Sequence, residues 1–205
     1  MPVFSRDDRN ILFIHVPKTG GTSLEAMVER AGWRISLYSA EPQVLASLNC
    51  SPQHWHAPIL SGVVDLTRIE SAFMIVRDPI ARFRSEYSFH VRDPQLGRAE
   101  YVDAWAETIF SLYEGNRFVL DNHLRPQAEF VLPQADIYRM ESGLDAIAQD
   151  LEERLRLGLP MDALHMHDSA GAGGLKSSDV EISDKLEAML REIYAVDYEV
   201  FGFES

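Results

Sequence analysis

The sequence predicts an α/β fold with a central, mainly parallel sheet flanked by helices. Short apolar runs alternate with longer segments whose apolar residues recur every three or four positions, as expected for strands alternating with helices. Two of the runs, 11–16 and 72–77, lead directly into a predicted helix start. The chain of 205 residues fits a single domain, 1–205, and is long enough to bury a core.

The remaining elements follow from the same patterns. We predict strands at 11–16, 34–38, 72–77 and 136–140, and helices at about 22–31, 79–91, 99–114, 143–157 and 180–196. The third helix carries a stripe that we expect to face the core, made of Tyr101, Trp105, Ile109 and Leu112. The Gly- and Ser-rich stretch 168–178 predicts a mobile loop. Ligands of such sheets bind at the carboxyl ends of the strands.

Composition limits the classes of partner. The net charge of −13 argues against nucleic acid and anionic membranes as partners. The single cysteine, Cys50, allows no intrachain disulfide, and we expect it to be packed. No apolar run approaches the ~20 residues that span a bilayer, and residues 1–10 lack a signal-peptide pattern, so we expect a cytoplasmic protein. The sequence does not indicate an oligomeric state.

The segment after the first strand has the composition of a phosphate-binding loop. Glycines let the main chain approach an anion, and the N–H groups of a helix start point towards it. A lysine adds positive charge, and three hydroxyls add donors. The candidate residues are Pro17, Lys18, Thr19, Gly20, Gly21, Thr22 and Ser23. The alternative is a plain strand–turn–helix connection with incidental hydroxyls.

The order of these residues is informative. A Walker-type loop places its lysine after the last glycine, whereas Lys18 precedes Gly20. The order Pro-Lys-Thr-Gly-Gly-Thr-Ser resembles the 5′-phosphosulfate loop of sulfotransferases that use 3′-phosphoadenosine 5′-phosphosulfate (PAPS). It most resembles the family that includes heparan sulfate 2-O-sulfotransferases and small bacterial members. The resemblance implies a P-loop-like three-layer fold, PAPS as donor with 3′-phosphoadenosine 5′-phosphate (PAP) as product, and no required metal.

A second segment supports the same resemblance. After the strand 72–77, Asp78 is a good N-cap and Pro79 suits the first helical position. The pattern R-D-P-x-x-R-x-x-S-x-Y resembles the family's 3′-phosphate motif, which implies that Arg77 and Ser85 hold the 3′-phosphate. The alternative makes Arg77 and Arg82 surface ion-pair formers.

Sulfuryl transfer needs a base for the acceptor proton and a cation for the charge that develops on the leaving phosphate. Lys18 suits the second task. The segment His54-Trp55-His56 resembles the His-x-His element of the family, which implies His56 as base and His54 as a supporting residue. Histidine titrates near neutral pH, which suits this role. A structural histidine or a zinc site is the alternative.

Further histidines and polar residues remain candidates. His123 is the rival base, and the surrounding N-H-x-R-P-Q segment implies that His123 and Arg125 line the acceptor or nucleotide pocket. The C-terminal region of the family closes over the nucleotide, which makes Ser169 and Lys176 candidate donor contacts. His15, within a predicted buried strand, is expected to be a hydrogen-bonded core residue.

Three functions are consistent with these residues. The main one is transfer of a sulfuryl group from PAPS to a hydroxyl of a carbohydrate or small metabolite. Because the only basic run is the Arg82–Arg84 neighbourhood, an acceptor of low charge is expected. The second is a phosphotransferase or nucleotide hydrolase with a variant P-loop, which would need Mg²⁺ and an acid such as Asp78. The third is a nucleotide-binding protein without catalysis.

Overall fold

The computed structural model describes residues 1–38, 47–160 and 174–204. One sheet has the strand order β3-β1-β2-β4-β5. Its strands are β1 (Val3–Arg6), β2 (Arg9–Ile14), β3 (Arg34–Ser36), β4 (Ser71–Val76) and β5 (Ala135–Arg139). The helices of the described residues are α1 (Gly21–Arg30), α2 (Ala57–Val63), α3 (Pro79–His90), α4 (Ala99–Gly115), α5 (Leu144–Leu155), α6 (Asp184–Ile193) and α7 (Ala195–Phe201).

The strand directions confirm a mixed α/β fold with a parallel half that carries the candidate loops. β2 pairs in parallel with β4, and β4 pairs in parallel with β5. β1 pairs antiparallel with both β2 and β3. The antiparallel half was not predicted, because β1 is only four residues long and its pattern is weak. The carboxyl ends of β2 and β4 lie side by side, since Ile14 is in register with Met74.

Both faces of the central strands β2 and β4 are buried. On one face, alternate residues of the strands pack with α1 and α5 in one hydrophobic cluster, which includes Phe4, Ile11, Phe13, Phe73 and Ile75. The residues between them on β2 and β4 are also fully buried, namely Leu12, Ile14, Met74 and Val76. This burial on both sides is the reason these strands read as continuous apolar runs.

The chain forms two compact units. One comprises residues 1–76 and 129–167, and the other comprises residues 77–128 and 168–205. The first contains the sheet with α1, α2 and α5, and the second contains α3, α4, α6 and α7. A single domain over 1–205 stays a prediction.

Two expectations for the helices hold only in part. On α4, Ile109 is buried and Trp105 packs against the core, as expected. On α4, Tyr101 and Leu112 are 44% and 56% exposed, and the buried positions are Val102, Ala106, Ile109, Phe110 and Tyr113. Phe110 and Tyr113 thus rotate the buried stripe by one position, since large aromatic rings dominate the packing. The predicted helix 180–196 instead begins at Asp184, where the Ser183 side chain caps it, and is separated from α7 at Tyr194.

Cys50 is buried, as predicted. Among the residues that the structure describes, no helix combines the length and apolar character that a membrane span requires.

Candidate functional site

The phosphate-loop candidate adopts a tight, left-handed conformation between β2 and α1. Lys18 has φ +69° and Gly20 has φ +84°, both in the left-handed region. The Val16 amide donates to the Ile14 carbonyl at 3.1 Å, and the Thr19 hydroxyl donates to the Val16 carbonyl at 2.8 Å. Thr19 is fully buried. Its hydroxyl therefore stabilises the loop, and any contact of Thr19 with a ligand would come from its main chain.

The start of α1 offers main-chain donors to an anion. Gly20 is the N-cap residue, and its carbonyl accepts the amides of Ser23 and Leu24. The first amides of a helix have no carbonyl partner within the helix and carry the positive end of its dipole. The first turn of α1 contains no acidic residue, while Thr22 is exposed and Ser23 is half-buried. This geometry suits a phosphate or sulfate group.

His15 lies directly beneath this helix start. A Cβ atom added to Gly21 would lie 2.5 Å from His15 Nε2, so only glycine fits there. His15 Nδ1 lies 2.5 Å from Glu25 Oε1, and both side chains are almost fully buried. The expectation that His15 is a hydrogen-bonded core residue is confirmed.

The His-x-His segment lies in the same unit and is joined to this pair. Gln53 Nε2 donates to Glu25 Oε2 at 3.0 Å. The ring of His54 packs edge-on against His15, and its Nδ1 lies 3.2 Å from the Ser51 hydroxyl. His54 is 8% exposed, so its ring belongs to the buried part of this segment. His56 is half-buried at the N-cap of α2, before the first turn of that helix.

Arg77 is held by a side chain that sequence reasoning did not assign. Gln127 Oε1 accepts the Arg77 amide at 2.9 Å, and Gln127 Nε2 donates to the Arg77 carbonyl at 2.7 Å. Asp197 in turn accepts the amides of Gln127 and Ala128 at 3.0 and 2.8 Å. Gln127 and Asp197 are both fully buried. Burial raises the pKa of Asp197, although the Arg82 charge and the hydrogen bonds from 127 and 128 oppose this shift.

The start of α3 follows the prediction, but Arg82 does not belong to a basic surface. The Asp78 side chain accepts the Ala81 amide at 2.8 Å, which confirms its role as N-cap. Arg82 is only 2% exposed, and its guanidinium donates to the carbonyls of His123 and Arg125 at 2.8 and 2.9 Å. It also lies over the Tyr194 ring. The reading of Arg82 as a surface ion-pair former is therefore wrong, because its charge satisfies buried carbonyls.

One turn later, Glu86 joins two histidines. Its carboxylate oxygens lie 2.7 Å from His90 Nε2 and 2.8 Å from His123 Nδ1. Burial by itself would raise the pKa of Glu86, but the hydrogen bonds from both rings and their charges outweigh it and lower the pKa to about 2. Ligand atoms of these three residues lie within 4.8 Å of one another, so this set could also hold a metal ion.

The segment before His123 is strained. Leu120, Asp121 and Asn122 are consecutive residues with φ between +52° and +70°, a region that costs L-residues about 1–2 kcal/mol each. Asn122 is fully buried and accepts a 2.6 Å hydrogen bond from Arg125 Nε. Arg125 itself is 5% exposed. Arg125 thus stabilises this turn, which leads into His123.

The chain matches a known protein family over nearly its whole length. The model of the sulfotransferase family matches residues 2–204. The chain belongs to the sulfotransferase family. Searches of curated proteins and of solved structures gave no match. The family match confirms the resemblance drawn from the two phosphate motifs, and it makes this protein a member of a transferase family.

Three candidates of this sulfotransferase remain, two in the C-terminal part and one on α3. Lys176 is exposed and precedes a short 3₁₀ helix, Ser177–Asp179. Ser169 and most of the loop 168–178 lie outside the described residues. Ser85 is half-buried on α3, in the same unit as Arg77.

Three buried acids escaped the sequence reasoning, namely Glu25, Glu86 and Asp197. In this sulfotransferase each one holds a residue beside a motif, respectively His15, His123 and Gln127. For two of these acids, the sequence contained a signal of burial. Glu25 lies between Leu24 and Met27, and Glu86 lies between Phe83 and Tyr87, so that each acid shares a helix face with apolar neighbours.

Proposed function

We propose that this member of the sulfotransferase family transfers a sulfuryl group from PAPS to a hydroxyl of a carbohydrate or a small metabolite. The observation that carries the proposal is the loop Pro17–Ser23, with its left-handed Lys18 and Gly20 at the start of α1. Such a loop suits a phosphosulfate because it combines main-chain donors, a helix dipole and a lysine. The family match supports the same chemistry.

In the proposed reaction, His56 accepts the proton of the acceptor hydroxyl. The acceptor oxygen forms a bond to sulfur while the bond between sulfur and the bridging oxygen of the 5′-phosphate breaks, which releases PAP. Lys18 stabilises the negative charge that develops on that bridging oxygen. His54 supports His56, and His123 remains the alternative base.

The 3′-phosphate is assigned to Arg77 and Ser85. Lys176 and Ser169 are proposed as further donor contacts. No step requires a metal, because lysine, arginine and main-chain amides supply the positive charge. The acceptor is proposed to carry little charge: the protein has a net charge of −13, and Arg82 is buried and cannot recruit an anionic chain.

Calorimetric titration tests the donor. We expect PAP to bind in the presence of EDTA with micromolar affinity, and ATP with Mg²⁺ to bind more weakly. Transfer of label from labelled PAPS to a panel of sugars and phenols then identifies the acceptor. Binding of ATP with Mg²⁺ but not of PAP would assign the protein to a phosphotransferase class, and binding of PAP without transfer to any acceptor would favour a non-catalytic role.

A further inference from the structure

The side chain of Gln127 makes the two main-chain hydrogen bonds to Arg77 that a neighbouring strand would otherwise make. The ladder between β4 and β5 ends with the pair Val76 and Arg139, one residue before Arg77. Gln127 then bonds both main-chain polar groups of Arg77, at 2.9 and 2.7 Å. The oxygen and the nitrogen of a primary amide lie side by side, so one amide can bond both the N–H and the C=O of the same residue. Gln127 therefore holds the main chain of Arg77, from which the guanidinium side chain extends.

Asp197 fixes which way the Gln127 amide faces. Its Oδ2 accepts the Gln127 main-chain amide at 3.0 Å and Gln127 Nε2 at 3.3 Å. Nε2 must therefore face both Asp197 and the Arg77 carbonyl, which leaves Oε1 for the Arg77 amide. A flipped amide would place the Gln127 NH₂ group against the Arg77 N–H, and the Gln127 oxygen against the Arg77 carbonyl. Asp197 also anchors the next residue through the Ala128 amide.

We propose that Gln127 and Asp197 are positioning residues for the 3′-phosphate of the nucleotide donor and act through the main chain of Arg77. The inference rests on the proposed function. Neither side chain needs to touch the nucleotide, since both are fully buried. Their effect is to hold the Arg77 guanidinium where a phosphate can take two parallel hydrogen bonds, a geometry that small displacements disrupt.

A comparison of two nucleotides isolates this effect. PAP and adenosine 5′-phosphate share the adenosine and the 5′-phosphate, and only PAP carries the 3′-phosphate. A variant that displaces Arg77 loses affinity for PAP alone, whereas a variant that disturbs the whole fold loses affinity for both. The ratio of the two dissociation constants is therefore the readout.

We expect Gln127→Met, which removes both bonds at similar volume, to weaken PAP binding about tenfold, or 1.4 kcal/mol, with adenosine 5′-phosphate unchanged. Asp197→Asn should shift the ratio in the same direction by a smaller factor, because an amide cannot accept all the donors that face it. Gln149→Met, at an exposed position on α5, is the matched control and should change neither affinity.

A double variant supplies the decisive comparison. In an Arg77→Ala background, Gln127→Met should have no further effect on the affinity for PAP, because the group it positions is gone. If Gln127→Met does not fold, Gln127→Glu serves in its place, since it keeps the acceptor for the Arg77 amide and loses the donor.

The outcomes that overturn the inference are distinct from those that overturn the proposed function. Equal weakening of both nucleotides by Gln127→Met, or an additional loss in the Arg77→Ala background, would make Gln127 a purely structural residue. An unchanged ratio in Arg77→Ala itself would refute the assignment of the 3′-phosphate. Failure of the native protein to bind PAP would remove both conclusions together.

Discussion

The imidazole of His15 lies so close to Gly21 that a Cβ atom there would come within 2.5 Å of Nε2. His15 cannot retreat easily, because Glu25 holds its other nitrogen and Phe13 stacks on its face. The start of α1 is thereby fixed against the sheet. The position of the loop Pro17–Ser23 is thus fixed by a buried histidine–carboxylate pair.

Gly21→Ala should therefore destabilise the protein. The forced displacement of His15 is expected to lower the free energy of unfolding by about 1–3 kcal/mol, measured by urea denaturation. Gly62→Ala is the matched control: it lies in α2, a Cβ there meets nothing within 4 Å, and it should be neutral or slightly stabilising. Equal effects of the two substitutions would contradict the packing argument.

Lys18→Ala should reduce turnover far more than it reduces affinity for the donor. The proposed role of Lys18 is in the transition state, so we expect kcat to fall by about 10²-fold or more while the dissociation constant of PAP changes only severalfold. Steady-state kinetics with labelled PAPS and titration with PAP measure the two quantities. Losses of equal size in both would refute the role in catalysis.

The two candidate bases can be separated by the same pair of measurements. His56→Asn should lower kcat by about 10²–10⁴-fold with PAP binding retained. His123→Asn should leave a larger residual activity and reduce stability, because it leaves the buried carboxylate of Glu86 with one histidine fewer. The reverse order of activities would transfer the role of base to His123.

Glu86 should make the protein sensitive to acid. Its pKa is lowered to about 2, whereas the ordinary value is 4.5, so the unfolded chain takes up the proton first as the pH falls. The contribution of this carboxylate to stability is complete above about pH 4.5 and is lost towards pH 2, on the order of 3 kcal/mol in total. Glu86→Gln should therefore lose less stability than the native protein between pH 5 and 3 in urea denaturation curves. Parallel curves for the two proteins would show that the pKa of Glu86 is not lowered in the folded protein.

Arg156→Gly should stabilise the protein. Arg156 ends α5 with φ +52° and ψ +55°, a conformation that glycine adopts without strain. We expect a gain of about 1 kcal/mol in the free energy of unfolding, seen as a higher Tm. Ala146→Gly, at an exposed position within the same helix, should instead cost about 1 kcal/mol and serves as the control. A loss at both positions would show that the left-handed conformation of Arg156 is not strained.

The sequence was sufficient for the elements that have strong local signals. The loop Pro17–Ser23 and the cap at Asp78 were predictable, because glycines, an N-cap and a proline act within a few residues of chain. The buried stripe of α4 was not, since it depends on which large rings, such as Phe110 and Tyr113, find partners in the fold. The environment of Arg82 could not be predicted either. Its partners, the carbonyls of His123 and Arg125, are about forty positions away.

The position of Asp197 has a consequence for the biosynthesis of the protein. The ribosome makes the loop Pro17–Ser23 and the strand β4 more than a hundred residues before Asp197, which holds Gln127 and so Arg77. A nascent chain that has already formed its sheet would still lack the support for Arg77. Under the proposed function, recognition of the 3′-phosphate would thus be acquired only after Asp197 has been added, and a chain terminated before Asp197 would keep the loop Pro17–Ser23 but lack this support for Arg77.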